Sequence, residues 1–321
     1  MKLLFALFTI AASLLSGTAH ADSFPSRSIT LVVPYSPGGG TDIMARLLAQ
    51  QLSTDLGVSV IVDNKPGASG NIGTALVAKA PADGYTLLFT SSGHVINPSL
   101  FKSLPFDPLA DFSPVAQLAS GPSVLVVNAA SGIDSVDLLV KRGKSDRGAT
   151  FGSAGLGQPT HLAAEKFASE TGMKTLHIPY KGSGAAEIAL AGGEVDFLID
   201  SIPAALPMIR TQKTRALAVT GAERFPLQVL EAVPTLRERG MKDFEFSTWW
   251  GVLAPAGTPA AHVEKLSQSF IKAMASEDMK RRFVEIGAVP GIKPPAAFKA
   301  YMAQDLAAYR ELIGRIGLKS Q

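Results

Sequence analysis

The chain of 321 residues contains no cysteine and only two tryptophans. The first absence excludes disulfides, thiolate nucleophiles and zinc–thiolate sites. Its five histidines are scattered without a His-x-x-x-His pair, so no metal site is expected. The formal net charge is only +3 and is dispersed. No Lys/Arg cluster has the density of a nucleic-acid footprint, and nucleic acid is not an expected partner. Beyond the N-terminus no run reaches the ~18 apolar residues of a membrane span. No Gly-Lys-Ser/Thr follows the glycine run Gly38-Gly39-Gly40, which excludes a phosphate-binding P-loop. Gly182-Ser183-Gly184 has Glu187 where a dinucleotide fingerprint has its third glycine. No cofactor is expected.

The N-terminus carries an export pattern. Met1-Lys2 is a minimal positive region, Leu3–Leu15 is apolar but too short to span a bilayer, and Ala19-His20-Ala21 offers small residues to a signal peptidase. Cleavage is expected after Ala21, leaving an exported mature chain without a lipidated cysteine. The remaining length, about 300 residues, suits two domains with substantial cores.

From Ser28 the chain alternates strand and helix. Ile29–Val33 is continuously apolar, as a strand buried on both faces requires. The Gly-rich turn through Thr41 follows, then a helical pattern Ile43–Leu56 ended by Gly57. Val58–Val62, Ile72–Ala80 and Tyr85–Thr90 complete a β-α-β-α-β unit, which implies a parallel sheet. The segments Val115–Leu118 and Ser123–Val127 read as two strands separated by Ala119–Pro122. Alternation then resumes: strand Ala149–Phe151, helix Leu162–Thr171, strand Thr175–Ile178, helix Ala185–Ala191, strand Val195–Ile199, helix Pro203–Thr211, strand Arg215–Val219 and a short helix Thr235–Arg239. An aromatic strand, Phe244–Leu253, leads into a mostly helical tail. This order predicts an α/β chain that leaves one domain, builds a second and returns, with crossings near Ser123–Val127 and Phe244–Leu253.

Two turns stand between a strand and a helix and are rich in Gly, Ser and Thr. They are Pro34–Asp42 and Gly152–Leu162. The first N–H groups of a helix have no partner within it and carry partial positive charge, so each turn favours an anion. Ser91 and Ser92 follow a third strand on the same carboxyl edge, where open α/β sheets bind ligands. The two turns are expected to face each other across a cleft walled by Tyr35 and Tyr180. Asp200, at a strand end, either caps the next helix or meets a ligand group that carries a donor. Ser153 with His161 and an aspartate offers a hydrolase as the alternative, although no Gly-x-Ser-x-Gly elbow surrounds Ser153.

Several ordered stretches carry a family resemblance. They include Val33-Pro34-Tyr35 through Gly38-Gly39-Gly40-Thr41-Asp42, Phe151–Gly155 through His161–Glu165, His177-Ile178-Pro179-Tyr180-Lys181-Gly182, Val195–Asp200 and Trp250–Pro259. In this order and spacing the chain resembles the substrate-binding proteins of tripartite tricarboxylate transporters, the Bug family. The resemblance implies a two-domain Venus-flytrap protein of the type II periplasmic class, each domain a mainly parallel sheet flanked by helices. Its domains would be residues 22–122 with 247–321, and residues 123–246. It implies a non-enzymatic receptor that holds a small carboxylate and hands it to a membrane permease or a sensor, acting as a monomer. By that resemblance Tyr35, Ser36, Gly38, Gly39, Gly40, Thr41, Ser91 and Ser92 form one jaw. Ser153, Ala154, Gly155, Gly157, Thr160, His161, Tyr180 and Asp200 form the other. Pro159 departs from the pattern by removing one backbone donor.

Overall fold

The structure is a computed structural model that describes residues 24–318. The export signal and its cleavage point lie outside the described residues. The first strand–helix alternation forms as the hydrophobic pattern requires. It comprises β1 (Ile29–Val33), α1 (Gly40–Leu56), β2 (Val60–Asn64), α2 (Asn71–Ala78) and β3 (Thr86–Ser91), with parallel order β2-β1-β3. A single helical turn, α3 (Gly93–Ile96), follows β3 directly.

The connection to the rest of the molecule is β4 (Phe112–Asn128), a strand of 17 residues. Its first part, Phe112–Pro122, lies antiparallel to β9 (Ser247–Pro255), which in turn pairs with β3. From Ser123 onward it pairs antiparallel with β7 (Phe197–Ser201), and from Val124 also with β8 (Thr214–Val219). The break expected at Ala119–Pro122 is therefore absent. Pro122, which lacks a donor, falls where the strand exchanges β9 for β7, so its missing N–H costs no interior ladder bond.

The second alternation is α4 (Val136–Lys144), β5 (Ala149–Ser153), α5 (Pro159–Thr171), β6 (Thr175–Pro179), α6 (Ser183–Gly192), β7, α7 (Ile202–Arg210) and β8. Strands β6, β5 and β7 are parallel neighbours. Two lobes result, each with a parallel half-sheet whose carboxyl ends carry the helix starts, joined through antiparallel β4 and β9. After β9 come α8 (Ala260–Ala275), α9 (Glu277–Glu285), β10 (Val289–Lys293) and α10 (Pro295–Ile316). Strand β10 departs from the mostly helical tail expected after β9; it edges β4 with an irregular register between Pro290 and Lys293. The helix expected at Thr235–Arg239 is instead a turn, whose Thr235 bridges to Val219.

Helix α10 locks the crossing strand β9. The indole Nε1 of Trp249 donates to Asp305 Oδ2 at 2.7 Å, and Tyr309 Oη donates to the Ser247 carbonyl at 3.3 Å. Burial lifts the Asp305 carboxyl to about 6, while the Trp249 bond pulls it down. Phe298, fully buried, packs its edge against Trp249 at 5.1 Å between ring centroids. Gly251 makes this possible: a Cβ there would lie 2.5 Å from Phe298 Cζ and 2.9 Å from the Ala116 carbonyl. Gly251→Ala is therefore expected to cost about 1–3 kcal/mol by overpacking, seen as a lower urea midpoint. An unchanged midpoint would contradict this account of the crossing.

Candidate functional site

At the carboxyl edge of both half-sheets lies a cleft of about 480 Å³. The first lobe contributes Tyr35, Ser36, Gly39, Gly40, Thr41 and Ser91; the second contributes Gln158, Pro159, Thr160, Ser183 and Ser201; the crossing strands add Ser123, Thr248 and Trp250. None of these side chains is formally charged. Four helices begin at this wall: α1 at Gly40, α5 at Pro159, α6 at Ser183 and α7 at Ile202, whose N-cap is Ser201.

The local reason is the same in each jaw. In α1 the first helical bond runs from Ile43 N–H to the Gly39 carbonyl, so the N–H groups of Gly40, Thr41 and Asp42 precede the ladder. In α5 that bond runs from Leu162 N–H to the Gln158 carbonyl, leaving the N–H groups of Thr160 and His161. Pro159 sits at the first helical position, where its missing N–H loses no intrahelical bond. The hydroxyls beside these amides are also oriented. Trp250 Nε1, which can only donate, gives its proton to Thr41 Oγ1 at 3.2 Å. Ala154 N–H donates to Thr160 Oγ1 at 2.9 Å. Each threonine thus keeps its own hydroxyl proton for a ligand. At the far end of the same turn, Gly38 N–H donates to Asp42 Oδ2 at 3.0 Å. Burial raises the Asp42 carboxyl pKa, but Arg46, Gly38 N–H and the Asn64 amide outweigh it and hold Asp42 below its usual range.

The lobes meet closely around the cleft. Gln158 Nε2 of the second lobe donates to the Ser69 carbonyl of the first at 2.7 Å, and Ser36 Oγ donates to the Lys181 carbonyl. A Cβ at Gly40 would stand 2.9 Å from Ser201 Oγ and 3.2 Å from Pro203 Cβ. Glycine at this helix start allows the opposite jaw to reach contact distance.

The expected residues divide. Tyr35, Ser36, Gly39, Gly40, Thr41, Ser91 and Thr160 line the cleft; Gly38, Ser92, Ser153, Ala154, Gly155, Gly157, His161, Tyr180 and Asp200 do not. Gly38 is exposed and gives its N–H to Asp42. Ser92 is fully buried and bonds Thr248 Oγ1 at 2.8 Å. Ser153 is buried and accepts the Gly155 N–H at 3.1 Å, while Gly157 N–H donates to His161 Nδ1 at 3.3 Å. These bonds fold the glycine turn inward and bring only its last residues, Gln158 to Thr160, to the wall. Ala154 and Tyr180 line a neighbouring cleft of about 330 Å³ that shares Tyr35. Tyr180 Oη donates to Glu194 Oε2 at 3.4 Å, away from the ligand wall. Asp200 is buried beneath Ser183 and Ser201 rather than exposed to the cleft.

The hydrolase alternative is corrected here. Ser153 Oγ lies 2.6 Å from His177 Nε2, not paired with His161, and Ser153 is buried and does not line the cleft. His161 is buried and stacks on the His177 ring at 4.0 Å between centroids. Burial, and then the adjacent His161, depress His177 to about 3, too low for a useful base near neutrality.

Sequence reasoning missed Ser183 and Ser201 as wall residues, although both open helices after strands, the signal used for the other jaw. Ser123, Thr248 and Trp250 had no such signal, since strand residues facing a cleft look like core residues. Asp200 Oδ1 accepts from Ser183 Oγ at 2.8 Å and Ser201 N–H at 2.6 Å. Burial lifts Asp200 to about 6. Glu187, on α6, is also buried, and its two carboxyl oxygens have no hydrogen-bond partner.

Two lobes joined by long antiparallel crossings, closing on an uncharged cleft ringed by helix starts, define a two-domain binding protein of the periplasmic type. A family model described as tripartite tricarboxylate transporter family receptor matches residues 44–318. BugT of Bordetella pertussis (strain Tohama I) is 38% identical over 316 residues, covering 97% of this chain and 95% of BugT. Among solved structures, R. palustris Rpa4515 with adipate is 36% identical, with a TM-score of 0.89 and coverage of 93% of this chain and 100% of that one. The periplasmic binding protein BugD is 33% identical, with a TM-score of 0.88 and coverage of 93% and 100%. The chain belongs to the tripartite tricarboxylate transporter receptor family, and it is a solute-binding protein rather than an enzyme.

Burial, reinforced by nearby Asp200, lifts the Glu187 pKa well above its usual 4.5. The folded chain then retains a proton that the unfolded chain releases above pH 4.5, so this group's contribution to stability falls as pH rises. Glu187→Gln keeps the shape without that proton. It is expected to gain melting temperature relative to the wild type progressively as pH rises above 4.5. Parallel pH profiles for the two proteins would contradict the assignment.

Proposed function

We propose that this protein is a periplasmic receptor that captures a small carboxylate between its lobes and delivers it to a membrane permease or a sensor. The observation that carries the reading is the pairing of two helix starts, α1 and α5, across a cleft with no charged side chain. A carboxylate held there receives backbone N–H groups from Gly40–Asp42 and Thr160–His161 and hydroxyl protons from Thr41 and Thr160. Each helix terminus contributes about 0.3–1 kcal/mol when exposed and up to ~2 when partly buried. With charge-assisted hydrogen bonds of about 1.5–3 kcal/mol each, these terms suffice for the ~8 kcal/mol of micromolar binding. No arginine clamp is needed. The adipate in Rpa4515 supports the ligand class.

Binding would act as a population shift. The open form offers the ligand one jaw; the closed form offers both, and the Gln158–Ser69 and Ser36–Lys181 bonds add to closure. We place the lobe boundaries between residues 122 and 123 and between residues 246 and 247. The exchange of β4 partners and the start of β9 support this division. Among the described residues no helix is long and apolar enough to cross a membrane. The leader read in the sequence and the periplasmic relative BugD support export. The monomeric state is part of the same proposal.

Calorimetry with a panel of mono- and dicarboxylates is expected to find at least one micromolar ligand, without turnover. Thr41→Val and Thr160→Val should each weaken it by roughly tenfold, the loss of one hydrogen bond to a charged group. No binding by any carboxylate, or affinity unchanged in both variants, would contradict the reading. Gly40→Ala tests closure separately. It should weaken the same ligand while leaving the melting temperature of the ligand-free protein nearly unchanged, because the added Cβ meets only the opposite lobe. Wild-type affinity in this variant would show that the jaws need not approach so closely.

A further inference from the structure

The proton of each hydroxyl in the cleft can be traced. Thr41 and Thr160 accept bonds from Trp250 and Ala154, and so present protons to a ligand. Ser183 is the reverse. Its single proton is committed to Asp200 Oδ1 at 2.8 Å, so only lone pairs remain for the cleft. Ser201 is turned the same way: its N–H donates to that oxygen at 2.6 Å and its hydroxyl leans on it at 3.4 Å. Asp200 is 1% exposed and its Oδ2 has no partner. The nearby Glu187 is 2% exposed, and neither of its carboxyl oxygens has a partner. A buried carboxyl pair without a cation is costly unless the geometry serves something else. Here the aspartate fixes the hydroxyls of Ser183 and Ser201 from behind, so that both serines turn lone pairs rather than protons toward the cleft.

We propose that the cleft is polar in the hydrogen-bond sense: a donor pole at Thr41 and Thr160 for a carboxylate, and an acceptor pole at Ser183 and Ser201, oriented by Asp200, that selects ligands carrying a hydroxyl or other donor beside the carboxylate. This rests on the carboxylate reading above and narrows its substrate class. Asp200 is a positioning residue, since it meets the ligand only through the serines. The acceptor role holds whether Asp200 is ionised or neutral, because a proton on its free Oδ2 leaves Oδ1 accepting. An acid without the second donor would bury the Ser183 lone pairs unpartnered, which weakens binding.

The test is calorimetry at one neutral pH on matched pairs: glycolate and acetate, lactate and propionate, 3-hydroxybutyrate and butyrate, malate and succinate. In the wild type, the tighter-binding pairs should favour the hydroxy acid by at least about tenfold. Asp200→Ala frees the Ser183 proton and should bring the ratio within about twofold, chiefly by improving the unsubstituted acid. Asp200→Asn should restore the wild-type ratio, since its amide nitrogen can take the place of the unpartnered Oδ2 while Oδ1 still accepts. If Asp200→Ala does not fold, Ser183→Ala removes the acceptor directly and should also abolish the preference. Binding of these acids with no hydroxy preference in the wild type, or with a preference unchanged by Asp200→Ala and Ser183→Ala, overturns the acceptor pole alone. Failure of every acid to bind overturns the carboxylate reading beneath it.

Discussion

An α-helix has to begin with several amide N–H groups that its own ladder does not use. Most proteins turn those groups toward water or a capping side chain. Here four helices begin at one wall, and none of the four has a side-chain cap hydrogen bond. That constraint organises the site. The starts of α1 and α5 offer partial positive charge without a lysine or arginine in the cleft wall, while Asp200 fixes the Ser183 hydroxyl and the Ser201 N–H from behind. In the proposed mode of binding, selectivity comes from where protons sit on threonine and serine hydroxyls rather than from formal charge.

The frame serves that arrangement. Parallel half-sheets put all strand carboxyl ends, and therefore the following helix starts, on one edge. Strand β4 pairs with β9 in its first part and with β7 and β8 in its second, so one continuous strand ties the two edges together. Helix α10 stiffens this crossing through Trp249–Asp305 and Tyr309–Ser247. Trp250, the next residue along β9, reaches the other face and hands its indole proton to Thr41 in the donor pole. Adjacent tryptophans on one strand thus link the packing of the crossing to the chemistry of the cleft.

Much of this was legible in the sequence. Turn chemistry after an apolar β-branched run marked Ser36–Thr41 and Thr160, because strand, glycine turn and helix are all local patterns. The parallel units followed from the same grammar. What escaped depended on tertiary partners. The turn Ser153–Gly157 has the composition of an anion loop, yet it folds on itself because Ser153 and His161 accept its N–H groups; composition does not reveal that competition. Asp200 could be read as either a cap or a contact, and the structure shows it holding the two serines that face the cleft. Thr248 and Trp250 lie on a strand whose apolar run says only that it is buried. Strand β10 carries Pro290 and Gly291, both poor strand formers, and it exists only as an irregular edge on β4.

The account stands on the claim that backbone amides of α1 and α5, not a side-chain cation, hold the ligand's carboxylate. A crystal structure with a bound small carboxylate tests that most directly. The predicted result is carboxylate oxygens within hydrogen-bonding distance of Gly40–Asp42 N–H on one side and Thr160–His161 N–H on the other, with the lobes closed. A carboxylate paired with a lysine or arginine, or seated outside the cleft between Thr41 and Thr160, would contradict it.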